Sequence, residues 1–194
     1  AGFITKFDEN GEYATNSASH MWSRIVDSAG TDEGWGVACD SNGNVYIAGQ
    51  YAGTPTIRNE INTSLGTLPA SSGIAGLVSK FSSSGDYQWS RIIDSATVNE
   101  HGRGVACDSN GNVYFVGWYA GTPTIKTEGN ASLGTLPTST GSAAFLSKFD
   151  TNGVYQWSRV VDSAGTDEGF NIACDSTGNV YLAGYYTGTP TIKT

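Results

Sequence analysis

Positively charged residues are scarce in this sequence. Ten Lys and Arg residues stand against 18 Asp and Glu residues in a chain of 194, which gives a formal net charge of −8. Nucleic-acid surfaces need clustered positive charge, so we expect no nucleic-acid partner. No run of about 18 apolar residues occurs, so we expect no membrane-spanning helix. The opening AGFITKF matches a later strand rather than a charged and then apolar leader, and we expect no signal peptide.

Residue types that carry catalysis are equally scarce. The chain has two histidines, and it lacks a repeated Ser/His/Asp arrangement, a glycine-rich phosphate loop and Cys/His metal spacing. We therefore predict that the protein is not an enzyme, although a fold alone does not exclude one. Charged residues make up only 14% of the chain and 26 residues are glycine, a composition that disfavours helices and indicates an all-β protein.

What the chain does contain is a threefold repeat. GVACDSNGNVYIAGQYAGTPTI at 36–57 recurs almost unchanged at 104–125 and again at 171–192. Cys39, Cys107 and Cys174 mark the same place in each copy, 68 and 67 residues apart. Equivalent positions in successive modules are expected to lie beyond the ~7 Å that a disulfide allows between Cα atoms. We interpret the cysteines as small buried core residues.

One full unit reads as a four-stranded antiparallel meander. Predicted strands occupy 104–108, 112–119, 143–149 and 155–162, with Asn-Gly turns after the first and third. The connection 120–142 is rich in Thr, Gly and Pro, and within it 124–126 is expected to pair only briefly. Such a sheet must stack on its neighbours, which favours the blade of a β-propeller; a stacked solenoid is the alternative.

The repeat also resembles a known family. AFLSKFDTNGVYQWSRVVDSAGTDEGFNIACDSTGNVYLAGYYTGTPTI is similar to the bacterial β-propeller repeat usually abbreviated SBBP, over nearly the whole chain. One departure is cysteine where that family often has a branched aliphatic residue. The resemblance implies a propeller from a surface or secreted protein, hence an extracellular or cell-surface location, and it implies no catalytic motif.

The phase of the repeats predicts the domain organisation. We expect a single repeat domain with blades at 34–94 and 103–162. The segments 1–33 and 170–194 would supply the third and fourth, and the first and second, strands of one split blade. Three blades do not close comfortably, because propellers usually have about four to eight. We therefore predict that the chain is an oligomer-forming unit or part of a longer protein. As an oligomer, we favour a homodimer that closes as a six-bladed ring, each split blade being completed by the other chain.

An insert interrupts the first unit at 14–21. ATNSASHM stands there in place of one Gln. Its Ser-His-Met resembles an expression-vector junction, and a natural loop insertion explains it equally well.

The positions at which the repeats differ are candidate ligand-binding sites. Aromatic and Arg side chains at strand ends can stack on a sugar or anchor a protein partner, whereas drift at rim positions is the alternative. Trp22, Trp89 and Trp157 are instead expected to pack between blades. Two sets of equivalent positions differ: Trp35, Arg103 and Phe170, and Gln50, Trp118 and Tyr185.

Acidic pairs before each first strand are weaker candidates for a metal site. Carboxylates converging near the channel mouth would suit Ca²⁺, while a solvated acidic turn is the simpler interpretation. We expect no other cofactor. The pairs are Asp32 and Glu33, Glu100 and His101, and Asp167 and Glu168.

Three functional hypotheses follow. The first is a non-enzymatic scaffold or binding module whose ligand is a protein or, in a lectin-like variant, a carbohydrate. The second is an engineered or excised propeller fragment that only assembles with itself. The third is an enzyme that uses the channel mouth.

Overall fold

A computed structural model describes residues 1–11, 21–95 and 98–194. The predicted insert therefore lies outside the described residues, except for Met21. Within the described residues every regular element is a β-strand. The strands are β1 (Gly2–Thr5), β2 (Ser23–Asp27), β3 (Asp32–Cys39), β4 (Val45–Gly53), β5 (Thr56–Asn59), β6 (Ser64–Thr67), β7 (Ser71–Phe81), β8 (Tyr87–Asp94), β9 (His101–Cys107), β10 (Val113–Gly121), β11 (Thr124–Thr127), β12 (Ser132–Thr135), β13 (Ser139–Phe149), β14 (Tyr155–Asp162), β15 (Asp167–Cys174), β16 (Val180–Tyr186) and β17 (Thr191–Lys193).

Two repeats form the predicted antiparallel meander. The sheets run β3-β4-β7-β8 and β9-β10-β13-β14, which confirms the all-β class and is compatible with a β-propeller. The predicted fourth strand, 155–162, matches β14. The first and third strands begin three and four residues earlier than predicted, because β9 and β13 continue past a bulge in each ladder.

Asx chemistry builds the turn between the first two strands. Asp108 Oδ1 accepts the backbone N–H groups of Asn110 and Asn112, both at 2.9 Å, and Oδ2 accepts the Tyr114 hydroxyl at 3.0 Å. Among the turn residues only Gly111 has a positive φ, of 77°. The loop is thus a longer hairpin with glycine at the left-handed position, rather than a tight turn with two positive φ angles.

The long connection is not an open loop. It forms a hairpin, β11-β12, and β11 pairs with β8 of the preceding repeat, where Ile125 lies opposite Ile93. Both isoleucines are fully buried. Hairpin β5-β6 adds to β2 in the same way, and β17 adds to β14. Each repeat thereby extends the sheet of the repeat before it, which ties neighbouring sheets together.

The first strands of the repeats, β3, β9 and β15, lie side by side, and we call them the inner strands. Bulges on them bring backbone into close approach with the second strands. A Cβ added at Gly117 would lie 1.8 Å from the carbonyl oxygen of His101, and one at Gly49 would lie 2.0 Å from that of Glu33. Only glycine fits at these positions, because every other residue would collide with backbone.

Aromatic residues fill the space between neighbouring sheets. Trp22, just before β2, packs against Phe81 of β7, with ring centroids 6.0 Å apart, and Trp89 of β8 packs against Phe149 of β13 at 6.5 Å. The prediction that these tryptophans pack between sheets is confirmed for both. Trp157 contacts Tyr114 of its own sheet instead, at 6.1 Å.

The two half-sheets at the ends of the chain do not join each other among residues 1–11, 21–95 and 98–194. Strands β1 and β2 form a sheet with β5 and β6, whereas β15 and β16 form a separate two-stranded sheet. Large apolar side chains of both half-sheets are exposed, among them Phe3 and Tyr186. The arrangement described by the single chain is therefore an open series of sheets rather than a ring.

Candidate binding site at the inner strands

The candidate positions on the first strand of each repeat lie directly opposite candidate positions on the second strand. Glu33 lies opposite Gln50 in the β3-β4 ladder, and His101 lies opposite Trp118 in the β9-β10 ladder. Glu168 lies opposite Tyr185 in the third repeat. The sequence analysis assigned the acidic pairs and the aromatic positions to different candidate sites. In the structure they lie side by side on the first two strands of each repeat.

Polar contacts connect the first repeat to the second. Gln50 Nε2 donates to Glu33 Oε2 at 2.8 Å, and Trp35 Nε1 donates to the same oxygen at 3.1 Å. Gln50 Oε1 lies 2.6 Å from His101 Nδ1. Because a carboxylate only accepts, Gln50 must turn its amide nitrogen to Glu33 and its oxygen to the imidazole, so His101 Nδ1 carries the proton.

Ring stacking completes this group, which we call the inner-strand cluster (Glu33, Trp35, Gln50, His101, Arg103 and Trp118). The His101 ring stacks on Trp118 with centroids 3.8 Å apart, and the Arg103 guanidinium lies 4.3 Å from the centroid of the Trp35 ring. Burial and the nearby Arg103 charge lower the pKa of His101 to about 4. The imidazole is therefore neutral near pH 7.

Two donors of the cluster have no acceptor. Arg103 Nε and Trp118 Nε1 are the buried side-chain nitrogen and oxygen atoms without a hydrogen-bond partner among the described residues. Leaving such a donor unpaired costs about 1–3 kcal/mol. A ligand oxygen that reached either donor would recover that cost, and because both atoms are shielded from solvent, the surrounding side chains would have to move to admit it. The two unpaired donors make the cluster a candidate binding site.

The third repeat carries a different surface at the same positions. Phe170 and Tyr185 stack with centroids 5.7 Å apart, and each is 44% exposed. Trp35 is also more than half exposed. The predicted aromatic set is thus divided, with Trp35, Arg103 and Trp118 in the cluster and the Phe170–Tyr185 pair apart from it.

The acidic pairs are not solvated turns. Asp32, Glu100 and Asp167 are buried, and each accepts the backbone N–H and the hydroxyl of a serine four or five residues before it. Burial raises the pKa of Glu100 to about 7. The expectation of a solvated turn is therefore wrong for the first member of each pair, because these carboxylates hold the loop before the inner strand.

Metal-ligating side chains do not converge in the described residues. No group of three or more His, Cys, Asp or Glu side chains is placed to hold a metal ion there. The second members, Glu33 and His101, hydrogen-bond within the inner-strand cluster, while Glu168 lies beside Tyr185. The calcium hypothesis thus gains no ligand set from this geometry.

The cysteines end the inner strands and are all free. Cys39 is exposed, whereas Cys107 and Cys174 are half-buried, so the expectation of three buried core residues is wrong for Cys39 and only partly right for the others. Burial raises the pKa of Cys107 to about 12, and it raises that of Cys39 as well. Thiols with raised pKa values are poor nucleophiles.

Comparison with known proteins finds a distant relative. No protein-family description matches the chain. The chain is 24% identical over 193 residues to an uncharacterized WD repeat-containing protein of Acanthamoeba polyphaga mimivirus. The match covers 90% of this chain but only 14% of the relative. The likeness suggests a repeat β-propeller, in agreement with the antiparallel sheets. It does not confirm the predicted membership of the SBBP family. The described residues also contain no helix long and apolar enough to cross a membrane.

Proposed function

We propose that the chain is a non-enzymatic β-propeller scaffold that binds a partner at its inner strands. The repeated antiparallel sheets and the WD-repeat relative support a propeller, and WD-repeat proteins usually bind other proteins. We further propose a location outside the cell, which the resemblance of the repeat to those of surface and secreted proteins supports. The observation that carries the binding role is the pair of buried donors in the inner-strand cluster, Arg103 Nε and Trp118 Nε1.

A ligand titration tests this role. Indole fluorescence would be followed while peptides with carboxylate or amide side chains are added to the wild-type chain and to Arg103→Ala. We expect a saturable change that the variant loses, because the guanidinium supplies one of the unpaired donors. Arg58→Ala, on hairpin β5-β6, is the matched control. Equal responses of wild type and Arg103→Ala would contradict the proposed site.

A lectin-like role is the second candidate, and the exposed Phe170–Tyr185 stack favours it. Aromatic faces pack well against sugar rings. Binding of simple sugars that is lost in Tyr185→Ala but retained in Arg103→Ala would favour this role over peptide binding.

We also propose that two chains close a six-bladed ring by completing each other's split blade. Support comes from one set of equivalent tyrosines: Tyr51 and Tyr119 are fully buried, whereas Tyr186 is 60% exposed. Light scattering with sizing should give twice the 20.3 kDa chain mass. A dimer that binds none of the tested ligands would favour the alternative of an engineered or excised fragment whose only property is self-assembly.

A further inference from the structure

Three side chains of one repeat hold a turn of the next repeat. Lys80 Nζ and Trp89 Nε1 both donate to the carbonyl oxygen of Thr151, at 2.7 and 3.3 Å, and Arg91 Nε donates to that of Gly153 at 2.6 Å. We call the three donors a clamp and the first four residues of the five-residue connection between the third and fourth strands, here 150–153, a turn. A clamp thus grips mainly backbone carbonyls, although Lys80 Nζ also lies 3.2 Å from the Thr151 hydroxyl. Turns of different sequence can therefore occupy a clamp.

The same contact occurs between the first two units. Lys6 Nζ and Trp22 Nε1 donate to the carbonyl oxygen of Ser83, at 3.4 and 3.2 Å. Arg24 Nε donates to that of Gly85 at 2.6 Å. The contact is therefore a repeated element of the fold rather than a feature of one boundary.

A third clamp holds no turn among the described residues. Lys148, Trp157 and Arg159 occupy the equivalent positions, and the Arg159 guanidinium lies 5.1 Å from the centroid of the Trp157 ring. The two occupied clamps have the same separation, 5.2 and 5.1 Å. Arg24 and Arg91 are each 8% exposed, whereas Arg159 is exposed. The third clamp thus has the same arrangement of side chains as the two occupied clamps, but no turn is bound to it in the described residues.

A turn that no clamp of the described residues holds lies at the other end of the chain. Residues 8–11 form the same turn, with Gly11 N donating to the Asp8 carbonyl at 3.1 Å and Gly11 at φ 77°. A Cβ added at Gly85 or Gly153 would lie 2.6 Å from the arginine of a clamp, whereas one at Gly11 would meet nothing within 4 Å. This turn is therefore shaped for a clamp and is open to one.

Charge also favours this pairing. The turn 8–11 carries two carboxylates, Asp8 and Glu9, whereas the turn 82–85 carries none and the turn 150–153 carries one. The third clamp presents Lys148 and Arg159. Of the three turns, the one open to solvent is thus the most acidic, and opposite charges at a docking surface speed and orient association.

We propose that the clamp Lys148, Trp157 and Arg159 of one copy grips the turn 8–11 of a second copy. This inference rests on the proposed ring, for which it supplies the recognition chemistry. By equivalence, Lys148 and Trp157 donate to the Glu9 carbonyl and Arg159 Nε donates to that of Gly11. Strand β1 then pairs with β16 of the other copy, as β13 pairs with β10.

The test is the dimer dissociation constant, measured by sedimentation over a range of concentrations. Arg159→Ala and Trp157→Ala should each weaken the wild-type dimer at least tenfold, and 0.5 M salt should weaken it further. Arg58→Ala removes a positive charge from hairpin β5-β6 and should change the constant less than twofold. Circular dichroism checks that each variant is folded.

The outcomes separate this inference from the proposed ring. A wild-type chain that stays monomeric overturns both, and leaves further repeats of a longer protein as the occupant of the two ends. A wild-type dimer that Arg159→Ala and Trp157→Ala leave unchanged overturns the clamp alone. A larger assembly that both variants dissociate overturns the two-copy ring and supports the clamp.

Discussion

Successive repeats carry nearly the same sequence in different surroundings. Tyr119 is fully buried and donates to the Pro137 carbonyl at 2.6 Å, whereas its equivalent Tyr186 is 60% exposed. Arg91 is buried against the next turn, and Arg159 is exposed. The difference teaches that a repeat of this fold supplies one half of each contact and depends on its neighbour for the other half.

Glycine at the inner bulge should give the largest effect within a complete repeat. We expect Gly117→Ala to cost more than about 4 kcal/mol of unfolding free energy, or to prevent folding, because its Cβ would overlap the His101 carbonyl. The Cβ of Gly184→Ala would lie 2.1 Å from the Glu168 carbonyl oxygen. Because the two-stranded sheet β15-β16 can shift to relieve this contact, the loss of unfolding free energy should be smaller. Urea unfolding measures both.

Gly129→Ala is the control for this pair. The added Cβ would meet only the Thr127 hydroxyl, at 3.7 Å, so unfolding should change by less than about 0.5 kcal/mol. A Gly117→Ala protein as stable as Gly129→Ala would contradict the bulge geometry.

Replacing the arginine of a clamp should give the next largest loss of unfolding free energy. Arg91→Ala should cost about 3 kcal/mol, because it leaves the Gly153 carbonyl and the Glu128 carboxylate without their partner. Arg159→Ala, measured in dilute samples where chains are monomeric, should cost less than about 0.5 kcal/mol. Equal losses for the two variants would show that the third clamp is already occupied within the chain.

Glu100 gives the smallest predicted effect. Its pKa of about 7, raised by burial above its usual value of 4.5, means that the folded state binds the proton more tightly than the unfolded state. Stability from this group is therefore present below pH 4.5 and is lost as pH rises through 7. As the pH rises from 4.5 to 8, the free energy of unfolding of Glu100→Gln should increase by about 1–3 kcal/mol relative to that of wild type.

The titration of His101 changes the stability in the opposite direction over the same pH range. Its pKa of about 4 in the folded state means that stability falls as pH drops below 6.5. Wild type and Glu100→Gln share that contribution, so the difference between their denaturant midpoints isolates Glu100. A difference that does not vary with pH would contradict the burial of its carboxylate.

The sequence predicted the strands well wherever turn chemistry delimits them. Asn-Gly and its equivalents placed β10, β13 and β14 within a few residues, and the copies confirmed one another. Strand β12, with the sequence Ser-Leu-Gly-Thr, escaped prediction because it lacks alternating apolar residues. Pairing of β11 with the preceding repeat was equally hidden, since strand order between distant segments leaves no local signal.

The candidate site was predicted only in part. Differences between repeats drew attention to Trp35, Arg103 and Trp118, yet nothing in the sequence showed that Gln50 and Glu33 link two repeats. Burial of Asp32, Glu100 and Asp167 was missed because an acidic pair beside glycine is typical of a solvated turn. A serine four or five residues before each acid was the available signal.

Hydrogen exchange in strand β16 tests the central comparison most directly. In the part of the chain that the structure describes, the edge of β16 that faces away from β15 has no strand beside it, whereas β10 is paired on both sides. If a second copy completes this sheet, amides on that edge of β16 should become as protected as those of β10 in concentrated samples. Arg159→Ala should abolish this protection. Rapid exchange along that edge at every concentration would contradict completion of the split blade between chains.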